Sequence, residues 1–129
     1  MEKEYNGYTN YATWLLQVEL VDDAYQVMFD PFIAYLHDEG IENDYALNKS
    51  LENDEELKTE ILSWIKNMIQ DYVDECLTSG GVNDNDIAVS YARRFVADAN
   101  FWELADHFLE YAKDQTFEIK TRPWNGKSI

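Results

Sequence analysis

From Thr9 to Lys113 apolar side chains recur at intervals of three and four, the spacing that gathers them on one face of an α-helix. Thr9 or Asn10 is placed to cap a first helix running to about Leu20, with Tyr11, Trp14, Leu15 and Val18 at helical spacing and Trp14 as its anchor in the core. A second helical stretch is expected over residues 22–39, closed by Gly40 as a C-cap. Pro31 should break or kink it into residues 22–29 and 31–39. Residues 41–53 are polar and read as a loop with at most one helical turn. The clearest element is 54–78, with Asp54, Glu55 and Glu56 in its first turn and a stripe of Leu57, Ile61, Trp64, Ile65, Met68, Tyr72, Cys76 and Leu77. Ser79-Gly80-Gly81 stops it.

A further helix is expected over 85–97, burying Ala88, Tyr91, Ala92, Phe95 and Val96. Asn100 caps a last one to about Lys113, with Trp102, Ala105, Phe108, Leu109 and Ala112 inward. Residues 116–122 alternate (Phe117, Ile119, Thr121) like a short strand that Pro123 limits. The pattern therefore predicts a mainly α chain: a compact helical domain of about five helices, with room for one short C-terminal strand or hairpin. No internal repeat, heptad run or low-complexity linker interrupts it. The organisation is an acidic helical domain over 1–114 and a short basic tail over 115–129, part of the same domain.

Composition makes that reading firmer. The length of 129 residues suits one core. Four Trp, nine Tyr and six Phe lift the chain well clear of disordered compositions, which are poor in aromatics. Cys76 stands alone, so no internal disulfide can form, and a reducing cytoplasm is the expected setting. The N-terminus has neither the basic nor the apolar region of a signal peptide. No run approaches the roughly 18 apolar residues of a membrane span.

Charge changes the picture more. There are 26 acids against 10 bases, a net of −16. Between Glu19 and Glu60 thirteen acids face only Lys49 and Lys58, a local −11; from Gln115 to Ile129 the balance is +2. Such a field repels nucleic acid and anionic lipid, which argues against direct binding to either.

Candidate chemistry is sparse. The chain has no G-x-G-x-x-G, P-loop, G-x-S-x-G or H-E-x-x-H motif. His37 and His107 fall on different predicted helices. Cys76 lies on an apolar stripe, where a thiol behaves as a small hydrophobe. Glu103, His107 and Glu110 share one helix face, but it is the polar, solvent-facing one. Asp84-Asn85-Asp86 resembles the opening of a calcium loop, yet Val89 and Phe95 stand where that loop needs Gly and Glu. No catalytic residue, metal site or cofactor is expected.

The carboxylates themselves carry the remaining signal. Duplex DNA presents roughly one negative charge per 1.7 Å of axis. Helical carboxylates three or four residues apart make a comparable row of anions, about 5–6 Å apart. The candidate residues are Asp22, Asp23 and Asp30, then Asp38, Glu39, Glu42 and Asp44, then Glu52, Asp54, Glu55, Glu56 and Glu60, with Glu103, Asp106, Glu110 and Asp114 on the last helix. Such a surface fits the basic groove of a DNA-binding protein or nuclease; a homodimer would lengthen it.

Asn6-Gly7-Tyr8-Thr9-Asn10-Tyr11-Ala12-Thr13-Trp14 resembles the opening of a group of small acidic proteins carried by phages, plasmids and integrated elements. Their Asn-Tyr/Trp-x-Thr-Trp signature is matched by Asn10, Tyr11, Thr13 and Trp14. Some also have a segment similar to Phe101-Trp102-Glu103-Leu104-Ala105-Asp106-His107-Phe108-Leu109. The two motifs cover about a fifth of the chain, and the resemblance implies an accessory gene of a mobile element. In size and charge alone the chain is also similar to DNA-mimicking anti-restriction and anti-CRISPR proteins. The expected function is inhibition of a host DNA-binding defence protein. The alternative is an acidic helical adaptor that holds its partner through aromatic anchors such as Trp124 or Tyr8.

Overall fold

The computed structural model describes residues 6–78 and 87–118. The fold is mainly α, as the periodicity predicts, with six α-helices among the described residues.

Asn10, in extended conformation, caps α1 (Tyr11–Leu16) by accepting from the Thr13 N–H. The chain then stays helical in a different register. A π-helical stretch, Gln17–Val21, and a 3₁₀ turn, Asp22–Ala24, lead into α2 (Tyr25–Asp38). The spacing of core residues explains the change. Ala12, Leu16, Val21, Ala24, Met28, Phe32 and Leu36 are all buried. Their intervals are three or four except the five between Leu16 and Val21. An ordinary helix would swing Val21 off the buried face there. The wider π turn, with Asp22 N–H bonded to Gln17 O, restores it.

Pro31 does not divide this element, contrary to the expectation. It is an exposed residue inside α2, and the carbonyl left without its partner belongs to the exposed Val27, where water can substitute. The helix ends in a Schellman turn. Gly40, at φ +84°, donates to His37 O, and Ile41 donates to Leu36 O at 2.8 Å, with Leu36 and Ile41 both buried.

Residues 41–53 are not the expected loop. Asn43 caps a further helix, α3 (Asp44–Asn53), by accepting from the Ala46 N–H at 2.7 Å. Only Leu47 and Leu51, one turn apart, enter the core from it, so the stretch reads as polar although it is helical. Asp54 caps α4 (Glu55–Thr78) by accepting from the Leu57 N–H. The fully buried line of α4 is Ile61, Ile65, Ile69 and Val73. The expected stripe was therefore rotated: Leu57, Trp64, Met68, Tyr72, Cys76 and Leu77 flank that line and are only partly buried.

α5 (Ile87–Ala97) also turns another face inward than expected. Val89 is its buried residue, Ala92, Phe95 and Val96 are partly covered, and Ala88 and Tyr91 point outward. α6 (Phe101–Lys113) buries Phe101, Leu104, Ala105, Phe108, Leu109 and Ala112. Trp102, expected inside, is 48% exposed, because the inward face centres on Leu104, Ala105 and Phe108.

α4 and α6 make the most extensive pairing, with α2 and α3 packed around them and α5 against α4 and α1. Phe32 of α2 meets Phe108 edge-on at 5.3 Å and Trp64 at 6.1 Å. Phe117 packs edge-on against Phe29, and Asn43 forms an antiparallel bridge with Glu118. There is no strand among the described residues. The rest of the expected strand, like Trp124, Ser79-Gly80-Gly81 and Asp84-Asn85-Asp86, lies outside them.

Candidate protein-binding surface

The acidic residues sit on this frame as follows. Asp22 and Asp23 project from the 3₁₀ turn beside Tyr25, Gln26 and Tyr111, around a shallow groove of about 420 Å³. Asp30 is exposed on α2; Asp38 and Glu39 are exposed at its end. Glu42 and Asp44 are half-buried and already engaged. Glu42 lies 3.7 Å from His37, and Asp44 accepts from the Phe117 N–H at 3.2 Å. Glu52, Asp54, Glu55 and Glu56 crowd the corner where α3 passes into α4, with Glu60 one turn on, all exposed.

Contacts across elements sort these residues further. Glu39 and Glu60, from different helices, both act on Tyr35, which stacks flat on Trp64 at 4.5 Å. Burial first, and those two carboxylates second, raise the Tyr35 pKa. Glu52 joins Asp106 and Glu110 of α6 around a cleft of about 230 Å³ that also holds Lys58 and Lys113. Asp23 instead faces Tyr72, whose hydroxyl bonds Cys76 and titrates above its usual range, through that bond first and burial second. The acids thus coat several faces. Among the described residues, none of the twelve between Asp22 and Glu60 pairs with Lys or Arg.

The two sequence motifs meet in space. Asn10 Oδ1 accepts from both the Thr13 N–H and the Thr13 hydroxyl, while its amide donates to Asp98 O. Thr13 Oγ1, fully buried, accepts from the Asn100 N–H at 2.8 Å. Asn100 caps α6 through the Glu103 N–H and donates to Thr9 Oγ1; the Glu103 carboxylate accepts from the Thr9 N–H at 2.9 Å. Tyr8 stacks on His107 at 4.7 Å, with its pKa raised by burial, then by Asp22 and Glu103. One network therefore caps both α1 and α6. Trp14 is half-buried, so the anchoring expected of it falls largely to Thr13.

Glu103, His107 and Glu110 go to three different neighbours, namely Thr9, Tyr8 and Lys113. Among the described residues no group of three or more His, Cys, Asp or Glu could hold a metal ion. No described helix is long and apolar enough to cross a membrane.

A groove of about 560 Å³ runs between α4, α5 and α6. Lys66 Nζ lies 5.1 Å from the Trp102 ring centre at its edge, and Arg93 bonds Asp74 at 2.6 Å. The sequence reading missed this groove because it placed Trp102 inside. The only sequence signal was the amphipathic run of α6, in which Trp102 sits at the margin of the inward face. No family model matches the chain, and neither a curated protein nor a solved structure does.

Proposed function

We propose that this chain is a binding protein, not an enzyme. It occupies the basic groove of a host DNA-binding defence protein, such as a restriction or CRISPR effector, on behalf of a mobile element. One observation carries the reading. At a net charge of −16, ten of the twelve candidate acids between Asp22 and Glu60 are exposed on a helical frame and lack a Lys or Arg partner among the described residues. Unneutralised carboxylates held on rigid elements keep their field available to an approaching cationic groove, which speeds encounter and makes it sensitive to salt. Glu39 and Glu60 flanking Tyr35, and the corner of Glu52, Glu55 and Glu56, are the densest parts of that surface.

The test compares retention of DNA-binding proteins from a bacterial lysate on immobilised wild type and on a variant reversed to Lys at Asp22, Asp30, Glu39, Glu55, Glu56 and Glu60. Asp44 and Asp54 are spared because they hold backbone N–H groups. The wild type should retain proteins that duplex DNA or moderate salt displaces, and the reversed chain should lose them. Retention that neither DNA, salt nor the reversals disturb overturns the reading.

A second reading, an adaptor held through aromatic anchors, draws on Trp102 standing half-exposed at the mouth of the groove between α4, α5 and α6. It requires salt-insensitive binding that Trp102→Ala alone abolishes.

A further inference from the structure

α5 differs from the other described helices. Each of the others of eight residues or more carries acids, whereas Ile87–Ala97 carries none and has Arg93 and Arg94. It is a net +2 helix in a −16 chain. Its outer face also exposes two large hydrophobic residues. Ile87 is 73% exposed and Tyr91 63%, and Arg94 lies over the Tyr91 ring at 5.8 Å. Ile87, Tyr91, Arg94 and Asp98 follow at intervals of four, three and four, one stripe along the helix. Arg93 is turned the other way, to Asp74 on α4.

We infer that this stripe is the seam of a homodimer, with two α5 helices packed antiparallel about a two-fold axis. Three features select a second copy as the occupant. Two molecules of this charge meet with least repulsion where each has no carboxylate in its helix, and α5 is that place. The stripe is also complementary to itself. With the axis midway between residues 92 and 93, Tyr91 lies opposite the partner's Arg94, and Ile87 opposite the partner's Asp98. The first pairing repeats between copies the guanidinium-on-ring contact that α5 already makes within one. Finally, Ile, Tyr and Arg on one exposed line is the composition of an interface core and not of a solvated helix face. Such a seam joins the acidic faces of two copies into one longer surface. It stands independently of what that surface binds.

A single helix pair lies at the small end of stable interfaces, so the dimer should form at roughly 10–100 μM. Sedimentation equilibrium of the full chain alone, with no target present, is the test. The expected result is reversible association to twice the 15.2 kDa chain mass. It should tighten about threefold or more from 50 to 500 mM salt, because added ions screen repulsion between the two subunits. That sign is opposite to the one proposed for target binding, so failure of either reading is visible separately. Tyr91→Glu and, separately, Ile87→Glu should each weaken association about tenfold or more. Both positions are exposed in the single chain, so the circular dichroism melt measured well below that concentration range should be unchanged. Monomer at all concentrations in both salts overturns the seam. So does a dimer that both variants leave intact, or one that loosens as salt rises.

Discussion

Asn10 makes more bonds than an N-cap requires. Besides the Thr13 N–H it takes the Thr13 hydroxyl and reaches Asp98 O, so its loss releases α1 and the start of α6 together. Asn10→Ala should cost about 2 kcal/mol, the upper part of the range for a lost cap, measured by urea unfolding. Thr13→Val keeps the shape of a fully buried side chain but leaves the Asn100 N–H without its acceptor, a loss of about 1–3 kcal/mol. The two changes should be less than additive, since they break one network. Tyr25 has a different signature. Its hydroxyl accepts from Gln17 Nε2 at 2.8 Å, and burial, together with Asp22, Tyr8 and Tyr111, pushes its pKa from 10.0 to about 12 despite that bond. The folded state holds this proton more tightly than the unfolded one. Its contribution is therefore complete below pH 10 and is lost as pH climbs from about 10 towards 12. Tyr25→Phe cannot titrate there, so the stability gap between wild type and variant should shrink across that window in unfolding curves.

At the scale of elements, the tests concern what periodicity concealed. Leu47 is fully buried on α3, so Leu47→Ala should cost about 2–5 kcal/mol, whereas a loop leucine would cost little. Pro31 is exposed within α2, so Pro31→Ala restores a donor and should raise stability by about 1 kcal/mol after the unfolded chain regains freedom. Both α2 and α3 show how far the sequence could be read. Caps and stops were legible: Asn10, Gly40 and Asn100 act where local chemistry places them, because capping needs only near neighbours, and Asp54, expected in the first turn of α4, is instead its cap. Faces were less legible. α4 has apolar residues on nearly half its circumference, and only the packing of α6 selects Ile61, Ile65, Ile69 and Val73 over Trp64 and Met68. On α5 the large residues Ile87 and Tyr91 are outside and Val89 inside, an order that residue size alone reverses. α3 escaped because two leucines in a polar decamer make too weak a stripe. The acids of the candidate surface were all visible in the sequence. Their sorting into those free at the surface and those, like Asp44 and Asp54, bonded to backbone was not.

For the molecule as a whole, charge sets the behaviour. Net −16 on 129 residues opposes compaction, so the melting temperature should rise between 20 and about 300 mM salt and then level off as screening saturates. Differential scanning calorimetry checks this; a flat response would mean that the acids are too widely spread to repel one another. Their placement on α2, the 3₁₀ turn, α3, α4 and α6 spreads the charge over several faces, which limits repulsion within any one of them.

The shared cap network also bears on how the chain is made. Asn10 and Thr13 find partners at Asp98 and Asn100, 88 and 87 residues later, and Thr9 finds Glu103 after 94. On a ribosome α1 emerges before α6 and lacks those partners until α6 has been synthesised. The first helix is therefore completed by residues about ninety positions later, and the native core closes only once α6 has emerged. A chain cut before Asn100 loses α6 and also the fastening of α1. Its truncated fragments should be cleared by proteases and should not persist as partly folded chains.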